Sequence, residues 1–284
     1  MAVEALSRHR GQWFVVKIGG ELAQDSARLA ASVGAALRAF LDAGIRVAVI
    51  HGGGPQASQL SQRLGLPIHQ VAGRRVTDEA TLEVMKMTLA GQVSVDVAKA
   101  LRLAGVDALC VSGVSAGLVD AVRRPPTVLP GAGPDPVDLG LVGDVVAVRT
   151  ELFERLASVG VVPVIGSLCG SPQGDVLNVN ADTVATRVAA RLGAAKLFLV
   201  SNVPGVLKDK SDPASRIPLL TPEQGRAQIA SGVIQGGMIP KVEESLAMLQ
   251  AGIGAIHIVG IDPPTALLQE ATHAGSAGTA FVRA

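Results

Sequence analysis

The sequence predicts an α/β fold, a parallel-rich sheet with helices on both faces. Three observations carry that reading. Short aliphatic runs alternate with longer stretches of helical period almost from end to end, the signature of βα units. The apolar runs are continuous rather than alternating, as strands buried on both faces require. The composition fits such a core: 48% of the 284 residues are hydrophobic, yet aromatics are 2% and tyrosine is absent, so Val, Leu, Ile and Ala must fill the interior.

Trp13 to Ile18 (WFVVKI) reads as the first strand, closed by Gly19-Gly20. Asp25 to Ala43 is predicted as a helix, with Leu29, Val33, Leu37 and Leu41 at four-residue spacing and Gly44 as its stop. Val47 to Ile50 is the central strand. It runs into His51, three glycines (Gly52, Gly53, Gly54) and Pro55, whose missing N–H suits a first helical turn. That helix extends to about Leu64, and Leu66 to Val76, with Pro67 and Gly73, suggests a hairpin. Thr77 is expected to cap a long helix, with Asp78 and Glu79 in its first turn. Leu82, Met85, Leu89, Val93, Val97 and Leu101 hold the helical period to Gly105. At about 40 Å, this helix is long enough to serve as a dimer seam. Ala108 to Val111 is a buried strand. Leu118 to Val148 reads as strands around PPTVLPGAGPDP, expected to be a mobile surface loop. Glu151 to Ser158 is a short helix, Val161 to Ile165 a strand, and turn-rich Gly170 to Gly174 a domain boundary. Beyond it come a helix from Ala181, strand Lys196–Val200 and a Pro/Asp-rich loop over 204–218. Helices near 222–231 and from Pro240 to Ala251 follow, then strand Ala255–Val259.

Net charge is +1 with both signs interspersed, and aromatics are scarce, so neither a basic footprint nor stacking platforms for nucleic acid exist. Cys110 and Cys169 lie far apart in apolar runs and are expected to be free, buried thiols of a reducing compartment. Met1 to Gly11 carries Glu4, Arg8 and Arg10 and has no apolar signal core, and no run reaches the roughly 18 apolar residues of a membrane span. A cytoplasmic location is expected. No P-loop, dinucleotide fingerprint, zinc spacing or nucleophile elbow occurs.

Five features point to chemistry. The strand–glycine–helix stretch VAVIHGGGPQ aims backbone N–H groups and a helix N-terminus at one point, a natural anion cradle. Lys17 interrupts an apolar run, so its ammonium must reach a polar cleft at the strand's end or find a partner. Asn178-Val-Asn-Ala-Asp182 opens a helix, with Asn180 placed to cap it and Asp182 in the first turn. Gly236-Gly237-Met-Ile-Pro240-Lys241 sets a lysine at a helix's positive end, which costs roughly 0.3–1 kcal/mol unless an anion or a carboxylate such as Asp182 reverses the sign. Gly73-Arg74-Arg75-Val76-Thr77 adds two arginines, whose forks suit carboxylates.

Taken together, FVVKIGG, VIHGGGPQ, GRRVTD, DLGLVGDV, PVIG, LNVNADTVA, NVPGVL and GGMIPKVE resemble the amino acid kinase family, in the family's order and over nearly the whole chain. Within it they are most similar to the branch that acts on N-acetylglutamate. The resemblance implies a three-layer αβα sandwich with a central, mostly parallel sheet. It implies an N-terminal lobe (1–172) for acetylglutamate and dimerisation and a C-terminal lobe (173–284) for ATP. The implied reaction is phosphorylation of the side-chain carboxylate of N-acetyl-L-glutamate to N-acetylglutamyl 5-phosphate, the second step of arginine biosynthesis. Mg²⁺ would be carried by the nucleotide, with no resident metal. By motif, Lys17 and Lys241 would neutralise the phosphoryl group in flight and Asp182 would hold both lysines. Gly53, Gly54, Arg75 and Asn178 would bind acetylglutamate. Gly19, Gly20, Ser201, Asn202, Val203, Pro204, Gly205, Val206, Gly237, Met238 and Ile239 would line the nucleotide.

There are departures from the family's pattern. Asn202 stands where the family usually has Asp, Arg74 replaces a usual leucine, and Val114 and Ser115 occupy a normally more polar loop. Asn202 with the following VPG also resembles sister kinases acting on carrier-protein-linked aminoadipate or glutamate, and a non-catalytic regulatory member is a further alternative. The resemblance implies a homodimer, or a hexamer if the segment before the first strand links dimers. Thr265, where arginine-inhibited members usually carry histidine, points to a dimer little affected by arginine.

Overall fold

The apolar runs become the strands of one large sheet. The computed structural model describes residues 2–209, 211–235 and 238–283, without the side chains of Ala2, Val3, Met238, Pro240 and Lys241. Its strands are β1 (Trp13–Ile18), β2 (Arg46–His51), β3 (Gln70–Val71), β4 (Arg74–Arg75), β5 (Ala108–Ser112), β6 (Val119–Arg123), β7 (Thr127–Val128) and β8 (Pro136–Val137). They continue with β9 (Gly143–Val148), β10 (Val162–Gly166), β11 (Leu168–Gly170), β12 (Val176–Asn178), β13 (Lys196–Val200), β14 (Leu219–Leu220), β15 (Ala255–Val259) and β16 (Gly278–Val282). Eight form the main sheet in the order β14-β16-β15-β13-β1-β2-β10-β5. Every neighbouring pair is parallel except β15 with β16. A second sheet, β12-β11-β6-β9, and two short hairpins complete the set.

Because side chains alternate along a strand, β1 feeds both layers. Phe14, Val16 and Ile18 pack with Leu29, Leu37, Val97 and Leu101 from helices on one face. Trp13 and Val15 pack on the other with Val184, Ala185 and Val188 of the helix Ala181–Arg191. The three-layer αβα arrangement therefore follows from the sequence period, and Lys17, in phase with Trp13 and Val15, turns toward the helix that carries Asp182.

Several details correct the sequence reading. The long helix over 79–103 is capped by Asp78, whose side chain accepts from Thr81 N, and not by Thr77. Thr77 is buried and its backbone is already taken: its N–H donates to Leu139 O and its carbonyl accepts from Leu141 N. This helix and the one over 26–42 each contain a π-helical stretch, Lys86–Val93 and Ala30–Gly34. PPTVLPGAGPDP is pinned as the β7–β8 hairpin, with Leu129 buried against Leu139 and Val142. Ser171 to Gly174, turn-rich in sequence, is the tight turn between β11 and β12. Both cysteines are free, but Cys110 is only half-buried because it lies on the sheet's edge strand β5. Burial pushes their thiols up, to about 11 for Cys110 and about 12 for Cys169. Among the described residues no helix is long and apolar enough to cross a membrane.

Candidate active site

Chain order reverses at β1: the next strand, β2, lies to one side, while β13 and the strands beyond it lie to the other. In an open parallel sheet the crevice beyond the strand ends at such a reversal is where ligands bind. Lys17, one residue from the end of β1, meets Asp182 there, Nζ to Oδ1 at 3.0 Å. The lysine side chain is 16% exposed and the aspartate 34%, so the pair opens onto the cleft instead of being sealed. Asn180 caps the helix Ala181–Arg191 as its sequence position predicts, its side-chain oxygen accepting from Asp182 N at 2.7 Å. That cap places Asp182 in the first turn, where helix and carboxylate stabilise each other.

The glycine run forms the floor. β2 ends at His51, and the helix Gly54–Arg63 begins three residues later with Pro55 in its first turn. A Cβ on Gly20 would stand 2.7 Å from Gly53 Cα, so the two backbones touch and position 20 admits no side chain. A Cβ on Gly53 would also be 2.7 Å from Leu89 Cδ2. Gln56 Nε2 donates to Gly20 O and ties the two turns together. Around Gly54, by contrast, there is open space.

That space is a cavity of about 390 Å³, lined by Gly52 to Gly54, Arg74, Arg75 and Asn178 among others. Arg75 donates through Nη2 to Ser58 Oγ at 2.6 Å and Gly54 O at 3.3 Å, and partial burial lowers its pKa from the ordinary value. Asn178 Nδ2 donates to Thr77 Oγ1 at 3.1 Å. Further liners that escaped the sequence reading include Arg124, Ser167 and Glu244. Arg124 holds Asp144 in a fork, Nη2 to Oδ1 at 2.6 Å and Nε to Oδ1 at 3.1 Å. Nothing near it in sequence distinguishes it from a solvated arginine; only the pairing of β6 with β9 brings it to the cavity.

Residues 201–206 leave the end of β13 beside Gly19, whose N–H donates to Val200 O at 3.3 Å. Ser201 Oγ accepts from Val203 N at 3.3 Å, and Asn202 and Pro204 share the same loop. Gly205 adopts a φ of 148°, and a Cβ there would fall 2.6 Å from Thr279 Oγ1, which itself accepts from Val206 N at 2.8 Å. Glycine is thus required at 205. Ile239 packs against the core. Gly237 lies outside the described residues, as do the side chains of Met238 and Lys241, both within the helix Met238–Gln250.

The model of the amino acid kinase family matches residues 12–260. The chain belongs to the amino acid kinase family. A Sorangium cellulosum (strain So ce56) protein named acetylglutamate kinase is 53% identical over 268 residues, covering 94% of this chain and 94% of that protein. An acetylglutamate kinase of Anaeromyxobacter dehalogenans (strain 2CP-C) is 48% identical, covering 93% and 97% respectively. Among solved structures, the crystal structure of smu.665 from Streptococcus mutans UA159 superposes with a TM-score of 0.72 at 30% identity, covering 87% of this chain and 96% of that one. In this member of the family, the lysine–aspartate pair and the glycine floor stand at the strand ends of the αβα fold.

Proposed function

We propose that this chain transfers the γ-phosphoryl group of ATP to the side-chain carboxylate of N-acetyl-L-glutamate, the second step of arginine biosynthesis. The observation that carries the reading is the Lys17–Asp182 pair poised over the Gly20–Gly53 contact, with the Arg75- and Asn178-lined cavity alongside. A carboxylate nucleophile with a pKa near 4.3 is ionised at neutral pH, so no general base is needed. The work is positioning and neutralisation of charge. Lys17, and Lys241 by its place in the motif, neutralise the phosphoryl oxygens; Asp182 fixes the lysine. Glycine N–H groups at 20, 53 and 54 bind oxygens of the transferring group and of the substrate. Arg75 and Asn178 grip acetylglutamate, whereas Gly19, residues 201–206 and 237–239 line the nucleotide. Residues 1–172 supply most of the substrate lobe and 173–284 the nucleotide lobe, with Asn178 closing the cavity from beyond the boundary.

The site suits an ion that arrives on the nucleotide: Asp182 is already paired with Lys17, and the glycine N–H groups around it favour anions. Mg²⁺ carried by ATP would supply charge neutralisation to the phosphates. Hydroxylamine tests the chemistry, because it traps an acyl phosphate as a hydroxamate. The expected result is hydroxamate formed with acetylglutamate and ATP; ATP turnover without it overturns the reading. A panel including aminoadipate should show preference for acetylglutamate, as expected from a relative named acetylglutamate kinase at 53% identity.

The same chain is read as a homodimer. β5 is an edge strand, and Val95, Leu103 and Leu109 beside it are 65%, 64% and 45% exposed, an unprotected edge with an apolar flank. Light scattering should give about twice the chain mass; a sixfold particle would replace the dimer with a ring.

A further inference from the structure

The helix Gly54–Arg63 starts with Gly53 as its N-cap and Pro55 in its first turn, which sets Gln56 at the third helical position. A glutamine there ordinarily reaches back, its side-chain oxygen accepting the N-cap N–H to close a capping box. The molecule does this elsewhere: at the helix Pro222–Ala230, Gln224 Oε1 accepts from Thr221 N at 3.0 Å. Gln56 is turned the other way. Its Nε2 donates to Gly20 O, and because a carbonyl only accepts, that bond fixes which end of the amide faces the Gly20 turn. Gln56 is 3% exposed, and its Oε1 is buried with no hydrogen-bond partner among the described residues. The N–H of Gly53 likewise has no acceptor among them.

These two unpaired groups are neighbours. A Cβ on Gly20 would stand 2.8 Å from Gln56 Oε1 and 3.0 Å from Gly53 N, so both border one point between the glycine turns. Closing the box would pair them with each other, and a buried polar atom left unpaired is costly. The tether to Gly20 O holds the box open against that gain. We infer that Gln56 is a positioning residue for phosphoryl transfer: held by Gly20 O, its amide is kept from capping its own helix, so the Gly53 N–H stays open to an oxygen of the transferring group. This role rests on the phosphoryl-transfer reading above, but the open N–H is a property of the unliganded protein. Because Gly20 follows β1 and Gly53 follows β2, the same tether sets the spacing of the two strand ends that border the cleft.

Two replacements separate the open N–H from the tether, since both lose the bond to Gly20 O. Ionised glutamate keeps the shape of glutamine but only accepts, so it is released from Gly20 O and closes on the Gly53 N–H. Gln56→Glu should lower kcat about 100-fold at nearly unchanged KM for acetylglutamate, the scale of one lost preorganised donor. Gln56→Met fills the same space and leaves the Gly53 N–H open, so kcat should stay within about tenfold of the wild type while the melting temperature falls. NMR of the Gly53 amide, read without ligand, distinguishes a closed box from added charge alone. Its proton resonance should lie downfield in Gln56→Glu relative to the wild type, and the wild-type resonance should move downfield when Mg²⁺ and AMP-PNP are added. Equal kcat in the two variants, the same ligand-free Gly53 resonance in Gln56→Glu and the wild type, or a wild-type resonance that ignores the nucleotide would each overturn the proposal. Failure of the wild-type protein to form hydroxamate would instead strike the functional reading, leaving the ligand-free Gly53 resonance to decide whether Gln56 holds that N–H open.

Discussion

At the scale of single residues, charge placement decides what each side chain can do. Lys17 is held by one carboxylate oxygen, leaving ammonium protons for a phosphoryl group. Lys17→Ala should lower kcat by about 10²–10³ with much smaller changes in KM, because the neutralisation matters most in the transition state. Steady-state kinetics on the folded variant checks this, and near-normal kcat would remove Lys17 from the chemistry. Lys241→Ala is expected to behave alike. Arg75 is a different case. Its guanidinium, anchored on Ser58 and Gly54, presents a planar fork that lysine cannot copy. Arg75→Lys should raise the KM for acetylglutamate about tenfold, within the energy of one charged hydrogen bond, and leave that for ATP nearly unchanged. An equal rise for both substrates would make the residue architectural.

Among the elements, the glycine turn and the long helix are one assembly. Gly53 admits Leu89 and Val93 from the Lys86–Val93 π stretch, so a methyl there would press on two core side chains. Gly53→Ala should destabilise by about 1–3 kcal/mol, as over-packing does, whereas Gly54→Ala, facing open space, should leave the urea midpoint nearly unchanged. Equal losses at both positions would contradict this contact. These local devices were legible because their chemistry is contiguous in the chain: HGGGP, the lysine in WFVVKI and the NVNAD cap each announce themselves within a few residues. What escaped is what needs long-range pairing. The β12-β11-β6-β9 sheet consists partly of three-residue strands with no period to read, and it is this sheet that delivers Arg124. The π stretches keep an apolar pattern close to that of an ordinary helix, and β16 joins antiparallel to β15 only after a connection that holds the helix Ala266–Thr272, which nothing local foretold. Thr77 was misread as a cap because a bridge formed with Gly140, far along the chain, had already claimed its backbone.

For the whole molecule, acid is the condition to which the fold is most exposed. In the unfolded chain His51 takes up a proton near pH 6.5, but in the folded protein not until about 4. Stability is therefore complete above 6.5 and falls as pH drops through that window, by about 3 kcal/mol. His257, lowered by its own burial, adds to the loss. Urea melts at pH 7 and 4.5 should show the wild type losing more stability than His51→Asn, and parallel losses would dissociate the effect from this ring. The composition offers a way to watch such unfolding. Trp13 is the sole tryptophan in a chain without tyrosine, buried at the start of β1 with its Nε1–H donated to Glu154 Oε1 at 2.8 Å. Lys17 is four residues further along the same strand, roughly 13 Å away. Near-ultraviolet emission from this protein thus comes from one indole at the end of the sheet remote from catalysis. It should shift to the red in a single step on unfolding and stay nearly silent when nucleotide is added, a built-in fluorophore for the fold alone.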